Sequence, residues 1–315
     1  PRAAVSLQET FVRLSEGNNP GWLDGLFASH PPSQERVINN QALVDELMPQ
    51  LQNIDLENGE VRYQQAMAFL EENAEAYDLF DEAQLAIADG ELDIALLNLN
   101  AAINMVPREA RFKGLKGDIL LNQRDYRSAI NTYDAAINND DSYYDYYLGR
   151  GVAYARLGER TQARADLESS ASLLPTAIAM NELGKLSLVD NDRTLAKQYF
   201  NQAAQAQGRV GQEASLSFTR LDLEDNPGNY ISVQMFANDD SRIFGRVFNN
   251  SSIEVANTRI EFAAALGNRL GQQSRIVSSL PANSYVDVST GMRFPEGQVW
   301  TGEQMQANVI SASTQ

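Results

Sequence analysis

The stretch Ala110–Asn138, ARFKGLKGDILLNQRDYRSAINTYDAAIN, reads as two helical segments separated by a turn at Arg124-Asp125. Its small and large residues return elsewhere in register. Counting from Ala129, further alanines stand at Ala95, Ala163 and Ala196, with spacings of 34, 34 and 33. Twelve residues before each comes a second small residue: Ala83, Gly117, Gly151 and Gly184. Four residues after each comes a large one, Leu99, Tyr133, Leu167 and Phe200, and seven after comes Ala102, Ala136, Ser170 and Ala203. Pro107 and Pro175 each lie twelve residues beyond their alanine and close a unit. Turn residues fall at Asp89-Gly90, Arg124-Asp125, Gly158-Glu159 and Asn191-Asp192. The packing logic is local. Small residues at Gly117 and Ala129 let two antiparallel helices touch, and Tyr133 or Phe200 fills the space against the next hairpin.

Four units of this pattern, over about 130 residues, resemble the tetratricopeptide repeat (TPR) family. That resemblance implies helical hairpins that cannot bury their apolar faces alone. They stack into a superhelix with a concave surface that holds other polypeptides. The array is expected over residues 56–226. A helix at Val61–Glu75 would serve as its N-terminal cap, and Gln212–Asp225 would be a capping half-repeat. In TPR proteins the first helix of each hairpin lines the concave face. By that register the groove carries Tyr77, Phe80, Gln84, Arg111, Asp118, Asn122, Asp145, Arg156, Asn181 and Lys185. The Lys/Asn/Arg clamp with which some TPR domains grip a terminal carboxylate is not reproduced. The expected partners are proteins or peptides, or a further domain of the same protein covering these positions. Around Asp145, Tyr147 and Tyr154 fall on core positions, whereas Tyr143 and Tyr146 are expected at the surface.

Beyond Asn226-Pro227-Gly228 the pattern becomes alternating and β-branched. Strands are expected at Tyr230–Phe236, Arg242–Phe248, Thr258–Ala265, Gln273–Ser279, Tyr285–Ser289 and Gln304–Ser311. The fold class is therefore mainly α with a β domain: a TPR α-solenoid followed, over residues 227–315, by a small β-sandwich. Gly245-x-Val247-x-Asn249-x-Ser251 with the later Leu280-Pro281 resembles the Ig-like modules of bacterial envelope proteins, which implies an Ig-like sandwich.

Residues 1–55 do not follow the repeat. An amphipathic helix is expected at Val5–Leu14, and another from Gln34 after the Pro31-Pro32 pair, with Ser33 placed to cap it. The string Leu26-Phe27-Ala28-Ser29-His30-Pro31-Pro32-Ser33-Gln34-Glu35-Arg36-Val37 resembles the end of the catalytic domain in M48-type zinc metalloproteases, and Pro1–Val5 is similar to the segment after that family's third zinc ligand. The order of this string and then TPR repeats is similar to envelope metalloproteases with a C-terminal TPR domain. The resemblance implies a periplasmic setting and a role in protein quality control or outer-membrane protein assembly. It also implies a zinc site built on H-E-x-x-H, with the glutamate as general base. That motif is absent, and the chain has a single histidine, His30. No catalytic residue and no cofactor are therefore expected in the chain itself, and zinc would belong to a preceding catalytic domain. His30 reads either as an accessory zinc ligand in the intact protein or as an anchor for its loop; one histidine makes no zinc site alone. The rival reading is a stand-alone TPR scaffold without enzymatic activity. The start at Pro1, without an initiator methionine, reads as a processed or truncated product.

Composition narrows the remaining classes. The 315 residues carry a formal charge of −17, which repels phosphate backbones and anionic bilayers, so neither nucleic acid nor a membrane surface is an expected partner. The absence of cysteine excludes disulfides, thiol catalysis and thiolate metal sites. No apolar run reaches the ~18 residues of a membrane span. Acidic runs at Asp89–Asp93, Asn138–Asp141 and Asp190–Asp192 lack the ligand spacing of a calcium loop and sit in repeat turns.

Overall fold

In the computed structural model, residues 2–15, 34–51, 59–298 and 301–314 are described. They divide into two compact units, Pro1–Ala74 and Glu75–Gln315. His30, Ser33 and the Pro31-Pro32 pair lie outside the described residues.

The first unit contains α1 (Arg2–Ser15), α2 (Gln34–Leu47) with a following 3-10 turn (Met48–Leu51), and α3 (Glu60–Glu72). Helices α1 and α2 pack through Val5, Val37 and Val44, with Val12 and Met48 against them. The segment expected as an N-terminal cap of the array is helical as α3 and falls in this unit.

The second unit opens with helices in pairs: α4 (Ala74–Ala88) with α5 (Leu92–Met105), α6 (Ala110–Asn122) with α7 (Tyr126–Ile137), α8 (Tyr144–Leu157) with α9 (Arg160–Leu173), and α10 (Ala177–Val189) with α11 (Arg193–Ala203). A longer helix, α12 (Arg209–Asp225), follows them. The turns repeat as faithfully as the helices. Gly90, Arg124, Gly158 and Asn191 occupy the same repeat position, and all have positive φ, between 60° and 81°. The residue after each donates its N–H back to the carbonyl five positions earlier: Glu91 to Ala86, Asp125 to Leu120, Glu159 to Tyr154 and Asp192 to Ser187. This left-handed C-cap reverses the chain and satisfies carbonyls at the helix end. Asp125 and Asp192 then cap the next helix, accepting from the backbone N–H groups of Ser128 and Leu195.

The small-residue positions do what the spacing implies. Tyr133 is fully buried as a wedge between two glycines. A Cβ at Gly117 would approach its ring to 2.6 Å, and one at Gly149 to 2.3 Å. One aromatic thus joins its own hairpin to the next. Phe200 meets Gly184 in the same way two repeats later. Arg150 ties three helices together. It donates twice to Asp166, at 2.7 Å each, and once to Asp134 at 2.6 Å, with its guanidinium over the Tyr147 ring. Tyr146, expected at the surface, is instead buried beneath Gly114, while Tyr147, expected in the core, is half-exposed beneath Arg150. A helix crossing rotated by one residue exchanges the faces of neighbours, and only the packing of α6 on α8 decides which tyrosine goes inside.

The C-terminal part consists of β1 (Ile231–Ala237), β2 (Arg242–Asn249), β3 (Val255–Leu266), β4 (Arg269–Leu280), β5 (Tyr285–Arg293) and β6 (Met305–Thr314). They form two antiparallel three-stranded sheets, ordered β1-β2-β5 and β4-β3-β6, around a shared core that includes Ile231, Ile243, Val247, Ile260, Phe262 and Leu280. The N-x-S motif is a pin. The buried Asn249 amide donates to the carbonyls of Ile253, Leu280 and Pro281, and its Oδ1 accepts from Ser251. It therefore clamps the end of β2 to the Leu280-Pro281 turn. Leu223 of α12 is buried in this same core, and the Tyr230 hydroxyl donates to Asp222 of α12 at 3.0 Å. The last array helix thereby doubles as a strut for the sheets.

Candidate functional site

The first helices of the hairpins meet along one surface, and two different constellations form on it. The first lies where α4, α6 and α8 converge. There Phe80, Gln84, Arg111, Gly114, Leu115, Asp118, Asp140, Tyr143, Asp145 and Tyr146 line a half-open cavity of about 350 Å³. Five of the ten residues expected in the groove, Phe80, Gln84, Arg111, Asp118 and Asp145, are brought together here. Gly114 supplies the floor because it lacks a side chain, so that the Tyr146 ring lies against the helix backbone. The wall is aromatic. Phe80 packs on Phe112 at 5.1 Å, Tyr77 meets Phe112 edge-on at 5.4 Å, and Tyr143 meets Tyr146 edge-on at 5.0 Å. The Arg111 guanidinium stands over Phe80, 5.2 Å from the ring centre.

The Asp118 and Asp145 carboxylates share this cavity with the Arg111 guanidinium but do not pair with it. Asp118 accepts a 2.6 Å hydrogen bond from the wedge residue Tyr133, and among the described residues neither Asp118 nor Asp145 is in an ion pair. Asp118 keeps one side open to water, while the groove walls displace water from the rest. That desolvation pushes its carboxyl up to about 6, with the Tyr133 hydrogen bond opposing the shift and the nearby Asp145 adding to it. Burial likewise raises Asp145. Tyr133 is raised by burial and by the Asp118 charge it faces, and stays a hydrogen-bond donor across the physiological range.

The second constellation lies further along, where α8, α10 and α12 meet. Glu182, buried on α10, pairs with Arg156 at 3.1 Å and with Lys185 at 3.0 Å. Lys185 also reaches Glu213 of α12 at 2.7 Å, and the Asn181 amide donates to the same carboxylate at 3.4 Å. Burial works to lower Lys185, but its bonds to Glu213 and Glu182 outweigh this and raise it, while Lys185 in turn lowers Glu213. Arg156 and Lys185 are thus spent in these ion pairs, while the buried Asn181 donates through its amide and leaves its Oδ1 without a hydrogen-bond partner. Tyr77 is half-buried and donates to Glu109, and Asn122 is exposed on α6 outside both constellations. Sequence spacing missed Glu182 and Glu213, which sit beside groove positions, and Asp140 and Tyr143, which enter the cavity from the loop before α8. The Asp-Ser-Tyr-Tyr run ahead of α8 is the signal that marks that loop.

A family profile described as tetratricopeptide repeat matches residues 80–142 and 115–178. The chain carries TPR repeats. A search of curated proteins returns no match. Among solved structures, the chain is similar to the first TPR of Spaghetti (RPAP3) bound to the HSP90 peptide SRMEEVD. The identity is 22%, over 38% of this chain and 95% of that one, with a TM-score of 0.37. It is similar to the crystal structure of MamA at 18% identity, over 52% of this chain and 99% of that one, with a TM-score of 0.40. TTC0263, a thermophilic TPR protein of Thermus thermophilus, aligns at 21% identity over 49% of this chain and 85% of its own, with a TM-score of 0.40. Among the described residues no helix is long and apolar enough to cross a membrane. Nor does any group of three or more histidine, aspartate or glutamate side chains there stand ready to hold a metal ion.

Proposed function

We propose that this chain is a protein-interaction region whose TPR array holds segments of partner polypeptides against the cavity between α4, α6 and α8. The observation that carries this reading is that the cavity's aromatic and charged side chains are organised but not neutralised, whereas the charged groups further along the array, Arg156, Glu182, Lys185 and Glu213, are paired with one another. Repeat arrays present such surfaces to other chains, and aromatic and arginine anchors are the residue types that dominate binding energy. Photo-cross-linking amino acids placed at Gln84 and Leu115, which line the cavity, and at the exposed Leu97 and Asn131 on second helices, test it in cells. Discrete adducts from the first pair and none from the second are expected; equal labelling from both pairs overturns the reading.

The finer reading is the recognition part of an M48-type zinc metalloprotease of a bacterial envelope, acting in quality control or outer-membrane protein assembly. The Ig-like β module would be an accessory contact. It rests on the likeness of the Leu26–Val37 string and on the order of that string and the repeats. In that reading zinc and peptide hydrolysis belong to a preceding domain in the periplasm, and the catalytic domain is itself a candidate occupant of the groove. The rival, a TPR adaptor with no enzyme attached, is distinguished by the coding frame upstream of Pro1. An H-E-x-x-H there supports the protease, and its absence supports the adaptor. Chelator-sensitive digestion of unfolded protein by the purified chain alone would overturn both.

A further inference from the structure

We infer that the cavity between α4, α6 and α8 receives a basic side chain, lysine or arginine, projecting from an extended segment of a partner polypeptide. This deepens the groove reading of the preceding section and rests on it.

The cavity's shape sets the first limit. A volume of about 350 Å³ bounded by Phe80, Tyr143 and Tyr146 and floored at Gly114 suits one long side chain rather than a folded surface. Charge sets the second. One guanidinium, Arg111, faces three carboxylates, Asp118, Asp140 and Asp145. Arg111 is held on the Phe80 ring at one side of the space. Asp140 is turned toward its own loop, accepting from the N–H and hydroxyl of Ser142 at 2.9 and 2.6 Å. That leaves Asp118 on α6 and Asp145 on α8 as two like charges that raise each other's cost and lack a cation between them. An ammonium or guanidinium entering there removes the repulsion and gains two charge-assisted hydrogen bonds. The rings beside it offer cation–π faces. Tyr133 fixes the Asp118 carboxylate from below, so this acceptor is held in place before any ligand arrives. The other end of the array shows what a satisfied version looks like, with Lys185 seated between Glu182 and Glu213. The entering side chain would stand to Asp118 and Asp145 as Lys185 stands to those two glutamates. A carboxylate ligand would meet Arg111 but would have to approach Asp118 and Asp145, and an apolar one would leave both uncompensated.

The test is a 1H–15N titration of the full chain with four blocked tripeptides, acetyl-Gly-X-Gly-amide, with X as lysine, arginine, glutamate or norleucine. The lysine and arginine peptides are expected to give saturable shifts confined to the amides of residues 111–118 and 143–146. Asp118→Asn combined with Asp145→Asn should weaken them at least tenfold. Arg111→Gln should leave them as tight or tighter. Affinity should rise between pH 5 and pH 7.5 as Asp118 ionises among Asp145, Asp140, Arg111 and the tyrosines. Equal binding by the glutamate or norleucine peptide overturns the inference. So does retained affinity in the Asn pair with its fold intact by circular dichroism, or no saturable shift with either basic peptide. Adducts from Gln84 and Leu115 that persist alongside any of those failures would leave the groove as a docking site and reject only its charge preference.

Discussion

The two ends of the concave face are built from the same repeat and the same residue classes, yet one is electrostatically closed and the other open. Around α10, Glu182 is buried between Arg156 and Lys185, and Glu213 completes the set. Around α6, Asp118 and Asp145 stand beside a cavity whose one guanidinium, Arg111, lies over Phe80 and forms no ion pair with them. The closed end resembles a structural joint, since paired charges in a partly dry site stabilise only when all their partners are present. The open end keeps ionisable groups in a state that costs the fold something, a habit of binding sites more than of scaffolding. The difference arises from where the partners come from. At the closed end α12 brings Glu213 across to Lys185, whereas at the open end the aromatic wall of α4 and the loop before α8 bring no base.

The largest expected effect tests whether the open end is a separable feature or part of the frame. Tyr133→Ala removes the wedge between Gly117 and Gly149 and should destabilise the array by about 3–5 kcal/mol in a denaturant melt. Tyr133→Phe keeps the ring and removes only the donor to Asp118. It should cost about 1 kcal/mol and raise the Asp118 carboxyl further, as read by its carbon-13 titration. A loss as large as that of alanine would show that the hydroxyl, not the packing, organises this end.

Opening the closed end comes next. Glu182→Gln leaves Arg156 and Lys185 without their shared counter-charge. A loss of about 1–2 kcal/mol is expected, moderated because both cations reach solvent. If the loss is nil, the two ends differ only in appearance.

Asp118→Asn should act with the opposite sign. The Asp118 carboxyl holds its proton up to about 6 in the folded chain, against about 3.9 in an unfolded one. The folded state therefore binds more protons between those values, and this group's contribution to stability falls as pH rises from about 4 to about 6. Asparagine cannot ionise and escapes that fall. The variant should melt about a degree higher at pH 7.5 and at the same temperature as the parent near pH 4, by differential scanning calorimetry. A lower melting temperature at pH 7.5 would mean that Asp118 is structurally satisfied and the open end is not open. The smallest stability effect is expected for Tyr143→Ala, whose half-exposed ring should matter by less than about 0.5 kcal/mol. The same change should reduce cross-linking from Gln84, and unaltered cross-linking would remove Tyr143 from the contact surface.

Much of this architecture was legible in particular residues. The spacing of Ala95, Ala129, Ala163 and Ala196 fixed where the hairpins lie. Gly90, Arg124, Gly158 and Asn191 marked turns that share one left-handed conformation. Alternation on either side of the Gly267-Asn268 turn marked the β3-β4 hairpin, whose register runs from Leu266 opposite Arg269 to Val255 opposite Leu280. The faces of β2 were harder. Ile243, Gly245, Val247 and Asn249 point inward, and Phe244, Arg246 and Phe248 outward, where Phe244 stacks on Phe236 and Arg246 lies over Tyr285 and pairs with Asp287. Period-two alternation shows that faces exist, but with aromatics on one and a glycine on the other it does not say which is inside.

By itself, the sequence determined the repeat and its turns, because these depend on contacts within one hairpin or with the next. It also showed one histidine, no cysteine and no H-E-x-x-H string in these 315 residues. Tertiary structure alone decided which groove residues are neutralised and which remain available. That outcome depends on distances between side chains from different helices, such as Lys185 to Glu213 and Asp118 to Tyr133, and on how far water is displaced around each. Coulomb energy and desolvation both change steeply over a few ångströms, a scale that helical periodicity along the chain does not encode.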